Sequence, residues 1–291
     1  MQAKVAQVEK IETMLPSMLV SATYDGISKS AVLKFYEPTA QKLFLWKDEI
    51  GHKPYCYSKL APDELDFLQE REDVLEIKTV KKYDLITDKE IEVSKITVDN
   101  PLTIGGNYGD SIKNQIETWE SDIKYYETYL HDRKLIIGKY YEIVDGLLKP
   151  HNMEISDEVK IALKSLLWDK VDSKSMIDAE EFKEFISEWA DLLNQPIPKI
   201  KRLSVDIEVE FDPGRFPDPK LAEKRITAIG LKGTDDYDQI FVLKTEGTEK
   251  GFNELKENIK VTFYDLDKEK EMIADAFKII EEFPFVLTYN G

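Results

Sequence analysis

Between Leu203 and Phe211 the chain reads Leu-Ser-Val-Asp-Ile-Glu-Val-Glu-Phe, a strict alternation of apolar and polar residues. A period of two specifies a half-buried strand rather than a helix. Residues two apart share a strand face, so Leu203, Val205, Ile207 and Val209 are expected in a core while Asp206, Glu208 and Glu210 project together. Adjacent carboxylates repel unless water, a shared proton or a metal ion relieves them. A two-metal phosphodiester hydrolase needs this arrangement, although a solvated acidic strand would carry the same residues.

At 291 residues the chain exceeds the usual size of one domain, which predicts two or three. A single cysteine, Cys56, excludes an internal disulfide framework, and His52, His131 and His151 are too scattered for structural zinc. No apolar run long enough to span a bilayer occurs, and the polar opening MQAKVAQVEK leads to no signal-peptide core. These features predict a cytoplasmic protein with no membrane partner. The net charge of -17 opposes nonspecific polyanion binding, which relies on Lys and Arg at phosphates. It argues against a DNA-coating protein and leaves a carboxylate-based nuclease open.

Residues 18–60 are strand-like, in three runs separated by Asp25-Gly26 and Pro38-Thr39, the first pair forming a hairpin. A short helix over 62–73 and two further strands, 74–86 and 90–101, complete a mixed, largely antiparallel region. Asp110 or Ser111 can cap a helix in which Ile112, Ile116, Trp119, Ile123, Tyr126 and Leu130 recur at helical spacing. Helical pattern continues over 156–194 until Gln195-Pro196-Ile197-Pro198 ends it and marks a domain boundary. Beyond it come the carboxylate strand, RITAIGLKG, DQIFVLKT, a helix from about 267 to 283, and FVLTYN. Three strands joined by short connections, then a helix and a returning strand, resemble the opening of a ribonuclease H-like sheet. The helical crossover brings the last strand parallel to the first, which places Asn290 near Asp206 and Glu208.

Other patterns have plainer readings. Asp169 to Glu180 superficially resembles a calcium loop, but Val171 and Lys174 stand where an oxygen ligand and a glycine are needed. Gly105 to Gly109 matches no phosphate-binding motif and reads as a loop. The pairs Tyr55/Tyr57, Tyr125/Tyr126 and Tyr140/Tyr141 could stack on bases, yet aromatic residues of amphipathic elements usually enter cores.

The run Ile197-Pro-Lys-Ile-Lys-Arg-Leu-Ser-Val-Asp206-Ile-Glu208-Val resembles the first proofreading-exonuclease motif of archaeal family B DNA polymerases. Leu287-Thr-Tyr-Asn290-Gly291 resembles the start of their second, and the Gly214-Arg-Phe-Pro-Asp218 loop also fits. Upstream, Met18 to Gly26 and His52-Lys-Pro54-Tyr-Cys-Tyr57 resemble segments of the family's N-terminal domain.

The resemblance implies an α+β and α/β chain with an extension (1–17), a mixed N-terminal domain (18–196, helical over 110–194) and a truncated ribonuclease H-like 3′-5′ exonuclease domain (197–291). It implies that Asp206 and Glu208 hold Mg2+ or Mn2+ and serve catalysis, and that Asn290 binds the primer end. Tyr24, Pro54 and Tyr125 would line a template-base pocket, with Lys124-Tyr125 where some relatives carry Pro-Phe. The implied partners are single-stranded template DNA, the primer 3′ end and, through a C-terminal region, a sliding clamp. The chain is expected to be cut within the second motif and inactive alone. The alternative is a noncatalytic scaffold whose degenerate ribonuclease H-like domain docks proteins.

Overall fold

Apolar/polar alternation broken by Gly, Asp and Pro turns produces thirteen named strands in the computed structural model, which describes residues 11–106, 109–151, 156–168, 197–215, 217–218, 220–244 and 259–289. Contacts divide the chain into two compact units, residues 1–37 with 43–196, and 38–42 with 197–291.

The first unit contains β1 (Met14–Asp25), β2 (Ser30–Glu37), β3 (Lys42–Lys47), β4 (Tyr55–Ser58), a 3-10 turn (Pro62–Leu65), α1 (Asp66–Gln69), β5 (Val74–Asp84) and β6 (Lys89–Val98). Then follow α2 (Pro101–Gly105), α3 (Ile112–Gln115), α4 (Tyr125–Asp132), β7 (Tyr140–Val144), β8 (Leu147–Pro150) and α5 (Asp157–Trp168). Five strands form a sheet in the order β3-β2-β1-β7-β8, and a three-stranded sheet runs β4-β6-β5. At the β1–β2 turn the Asp25 carboxylate accepts from the Ile27 and Ser28 amides at 3.1 and 3.2 Å, fixing the hairpin locally. Leu19, Leu33, Phe35, Tyr129, Tyr141 and Ile143 form the core of the larger sheet, and Cys56, Leu65, Leu68, Ile96, Val98 and Ile112 that of the smaller.

Three expectations change here. The extension is shorter than residues 1–17, because β1 starts at Met14; Met14 and Ser17 are buried and pair with Ile143 and Tyr141 of β7. The single helix expected over 110–130 is two short helices. Ile116 leaves helical geometry at φ -139°, ψ 160°, and Trp119 instead exchanges backbone hydrogen bonds with Tyr57, 3.0 and 2.7 Å. The tertiary bridge to β4 outweighs local periodicity. Nor is 110–194 uniformly helical, since β7 and β8 lie within it. They turn through Asp145-Gly146, both at positive φ, and β7 buries Tyr140, Tyr141 and Ile143. The segment 169–196, with the pseudo-calcium loop and the second helical stripe, lies outside the described residues.

The second unit has β9 (Arg202–Val209), β10 (Ile226–Gly233), β11 (Asp238–Leu243), β12 (Lys260–Tyr264), α6 (Glu269–Ile280) and β13 (Phe285–Thr288). Their order is β12-β11-β10-β9-β13. β9, β10 and β11 run antiparallel, β12 joins β11 in parallel, and β13 returns parallel to β9 with Leu287 opposite Ser204 and Thr288 opposite Val205. β12 is a strand the alternation pattern missed, for its five residues are too few to carry a clear period. The stripe Met272, Ile273 and Ala276 of α6 packs against Leu203, Leu231 and Phe241, so one sheet face is closed by the helix. Among the described residues no helix is long and apolar enough to cross a membrane.

Candidate active site

Closing one face of the sheet leaves Asp206 and Glu208 on the other. Leu203 is fully buried beneath α6 and Val205 joins the same core, but Ile207 is 50% exposed and Glu210 lies beyond the strand's end. The alternation therefore reports the face correctly and the depth incompletely. A bulge between Ile226 and Ala228 shifts the β9–β10 register beside Glu208, and bulges bend and twist a strand locally.

Opposite Asp206 stands Gly230 of β10. A Cβ there would meet only the Asp206 carbonyl, at 3.9 Å, so the missing side chain leaves open space beside the carboxylate. An open depression of about 460 Å³ lies over this face, lined by Asp206, Gly230, Lys232, Asp238, Leu287 and Tyr289 among others. Asp206 Oδ1 accepts from the Ile207 amide at 3.1 Å, and Thr227 Oγ1 donates to the Glu208 carbonyl at 3.1 Å. Neither carboxylate enters an ion pair among the described residues. Two exposed carboxylates on one strand face, without an ion-pair partner among the described residues, are hard oxygen donors suited to Mg2+ or Mn2+. They fit part of a ligand set, since no group of three or more His, Cys, Asp or Glu side chains gathers among the described residues. Asn290 lies outside the described residues, two positions beyond the end of β13.

The second expected constellation is in the first unit. Tyr24 and Tyr125 meet edge to face, ring centroids 4.8 Å apart, while Pro54 and Tyr125 line a cavity of about 30 Å³ with Pro101 and Ile104. That space holds on the order of a water or two, not a base, in the conformation seen. Tyr24 donates to the Asp99 carbonyl at 3.1 Å and Tyr125 to the His52 carbonyl at 3.1 Å. Burial, then the charges of Asp99 and Asp25, push the Tyr24 phenol up; burial does the same to Tyr125. Beside them His52 Nε2 lies 2.9 Å from Asp132, which also accepts from Tyr55 at 2.9 Å.

Sequence reasoning singled out neither Gly230 nor the Lys232–Asp238 pair, 3.2 Å apart in the same depression. Their relation to Asp206 depends on strand register, and only pairing of β9 with β10 reveals it.

Comparisons with known proteins bear on the family and the fold. The family described as DNA polymerase family B, exonuclease domain, matches residues 116–291. DNA polymerase 1 of Sulfolobus acidocaldarius is 33% identical over 296 residues, an alignment covering 100% of this chain and 32% of that protein. DNA polymerase 1 of Aeropyrum pernix is 30% identical, over 94% of this chain and 28% of its own length. In fold, the chain is similar to the family B DNA polymerase from the hyperthermophilic archaeon Pyrobaculum calidifontis, with a TM-score of 0.56 at 13% identity, covering 95% of this chain and 30% of that one. The chain belongs to the family B DNA polymerases. It corresponds to the N-terminal and exonuclease region of the archaeal members and spans about a third of the length of the curated relatives it matches.

Proposed function

We propose that residues 197–291 are the first part of a 3′-5′ proofreading exonuclease domain, in which Asp206 and Glu208 hold Mg2+ or Mn2+ at the end of a frayed primer. The observation that carries this reading is the pair itself: both carboxylates leave the same open face of β9, between β10 and the parallel return strand β13. Bound divalent ions would activate water and stabilise the leaving 3′ oxygen. Asp206 is oriented by the Ile207 amide, Gly230 leaves room beside it, and β13 runs parallel to β9 as far as Thr288 opposite Val205; the amide of Asn290, which lies outside the described residues, would position the primer terminus.

The same reading assigns the longer polypeptide represented by the relatives to DNA-directed DNA synthesis, with template and primer as partners and a sliding clamp contacted through its C-terminal region. Residues 18–196 would be its N-terminal domain, and Tyr24, Pro54 and Tyr125 would serve as its template-base pocket only in a conformation wider than the cavity of about 30 Å³ seen here. The test is the metal dependence of primer shortening by the full-length polymerase. Glu208→Gln removes one charge from the pair and should raise the free Mg2+ concentration needed for half-maximal shortening, while extension keeps its own Mg2+ dependence. An unchanged Mg2+ dependence of shortening would refute the assignment.

A further inference from the structure

In the first unit, the end of β3, the β7–β8 turn and the residue after α4 enclose a cavity of about 790 Å³. That volume lies in the range of sites that hold a ligand the size of several side chains. Its floor is apolar, because Ile11, Trp46 and Leu148 belong to the core of the larger sheet or pack against it. Two more apolar side chains stand exposed at its edge, Ile50 at 54% and Leu147 at 62%. Exposed apolar residues scattered singly need no partner, but here they converge on one concave surface.

The lining carries four carboxylates, Glu12, Asp48, Glu49 and Asp145, against two cations, Lys47 and Arg133. Asp48 is buried and answered within the wall: it accepts from the Ile50 amide at 3.0 Å and from the Tyr129 hydroxyl, and pairs with Arg133 at 3.6 Å. Arg133 is thereby spent on Asp48. Glu12, Glu49 and Asp145 are exposed, come from three separate segments, and are left with Lys47 as the remaining cation of the lining. A backbone hydrogen bond of 2.9 Å from Gly146 to Glu12 holds two of those segments side by side. A cleft whose charges are mostly of one sign concentrates ligands of the other. The acidic edge repels phosphate, which rules out a polynucleotide, and a second copy of a chain with a net charge of -17 would bring more of the same sign. A small cation would suit the edge and leave the apolar floor uncovered. A peptide with one bulky aliphatic side chain between lysines or arginines answers both.

We propose that this cavity docks a basic segment of a partner protein, with its aliphatic side chain on Ile11, Trp46 and Leu148 and its flanking cations against Glu12, Glu49 and Asp145. Asp206 and Glu208 take no part in it. The test is fluorescence anisotropy of a labelled, end-blocked peptide, Lys-Lys-Leu-Lys-Lys, titrated with the 291-residue chain. Glycine in place of its leucine should weaken binding by about tenfold or more, because the floor loses its apolar partner. Glu49→Gln with Asp145→Asn should weaken binding of the leucine peptide about fivefold, and Asn suits the left-handed backbone at Asp145, φ 53°. Glu70→Gln with Glu72→Gln, an equal change of charge at exposed positions outside the cavity lining, should leave the affinity as it was. Lys47→Gln removes the remaining cation and should tighten binding, a gain that misfolding cannot imitate. Absence of binding, equal affinity for the leucine and glycine peptides, or an affinity that follows total charge wherever it is removed would overturn the inference. Each of those results would leave the exonuclease reading intact, and failure of the Glu208→Gln test would leave this one intact.

Discussion

Leu203 and Asp206 lie three positions apart on β9 and meet opposite surroundings, one sealed under α6 and the other open beside Gly230. Leu203→Ala would remove a fully buried side chain from the centre of its sheet and should cost about 2–5 kcal/mol, measurable by urea unfolding of the chain. A loss below about 1 kcal/mol would mean that the α6 packing is looser than described. Asp99 gives a pH-dependent contribution. Lys29 and then Lys53, the latter at 2.9 Å, hold its carboxyl below the ordinary value of 3.8. A depressed folded pKa contributes stability that is present above the unfolded value and lost as pH falls through the folded one. Thermal melts should therefore decline as pH drops below about 4, and Asp99→Asn should flatten that decline. Identical pH profiles for parent and variant would show the pairs to be screened away. These residues differ in legibility. Asp206 and Glu208 were visible from a period of two, whereas Asp99 meets Lys29 and Lys53 from 70 and 46 positions away.

At the scale of elements, strands with clear alternation and bounded turns were legible: β1, β2, β3, β5, β6, β9, β10, β11 and the return of β13 parallel to β9. β4, β7, β8 and β12 have four or five residues each, too few for a pattern to outweigh neighbouring signals. The helical spacing around Ile116 and Trp119 lost to a bridge with Tyr57, a partner no local window contains. Cross-strand register also assigns Gly230 a role beside the carboxylates. Gly230→Val adds a β-branched side chain where only the Asp206 carbonyl is near, so the fold should tolerate it, with stability changed by about 1 kcal/mol or less. The added methyl groups occupy the depression next to Asp206, so strand shortening by the full-length polymerase should fall while its melting temperature holds. Unchanged shortening with unchanged stability would remove Gly230 from the site.

For the whole molecule, the decisive fact is that two acidic side chains on one open strand face, rather than the net charge of -17, carry the functional reading. No group of three or more His, Cys, Asp or Glu side chains able to hold a metal gathers among the described residues, and a metal site needs further ligands or waters to hold its ions firmly. The 291-residue chain alone should therefore leave a labelled single strand intact in Mg2+, and degradation at the full-length enzyme's rate would contradict that expectation. The most direct test pairs two activities in one preparation of the full-length polymerase carrying Asp206→Ala and Glu208→Ala. Shortening of a labelled mismatched primer should fall by about a thousandfold, the equivalent of several kcal/mol of lost metal stabilisation. Extension of a matched primer should persist at the parent rate. Shortening that survives the double substitution would contradict the assignment of this strand as a proofreading site.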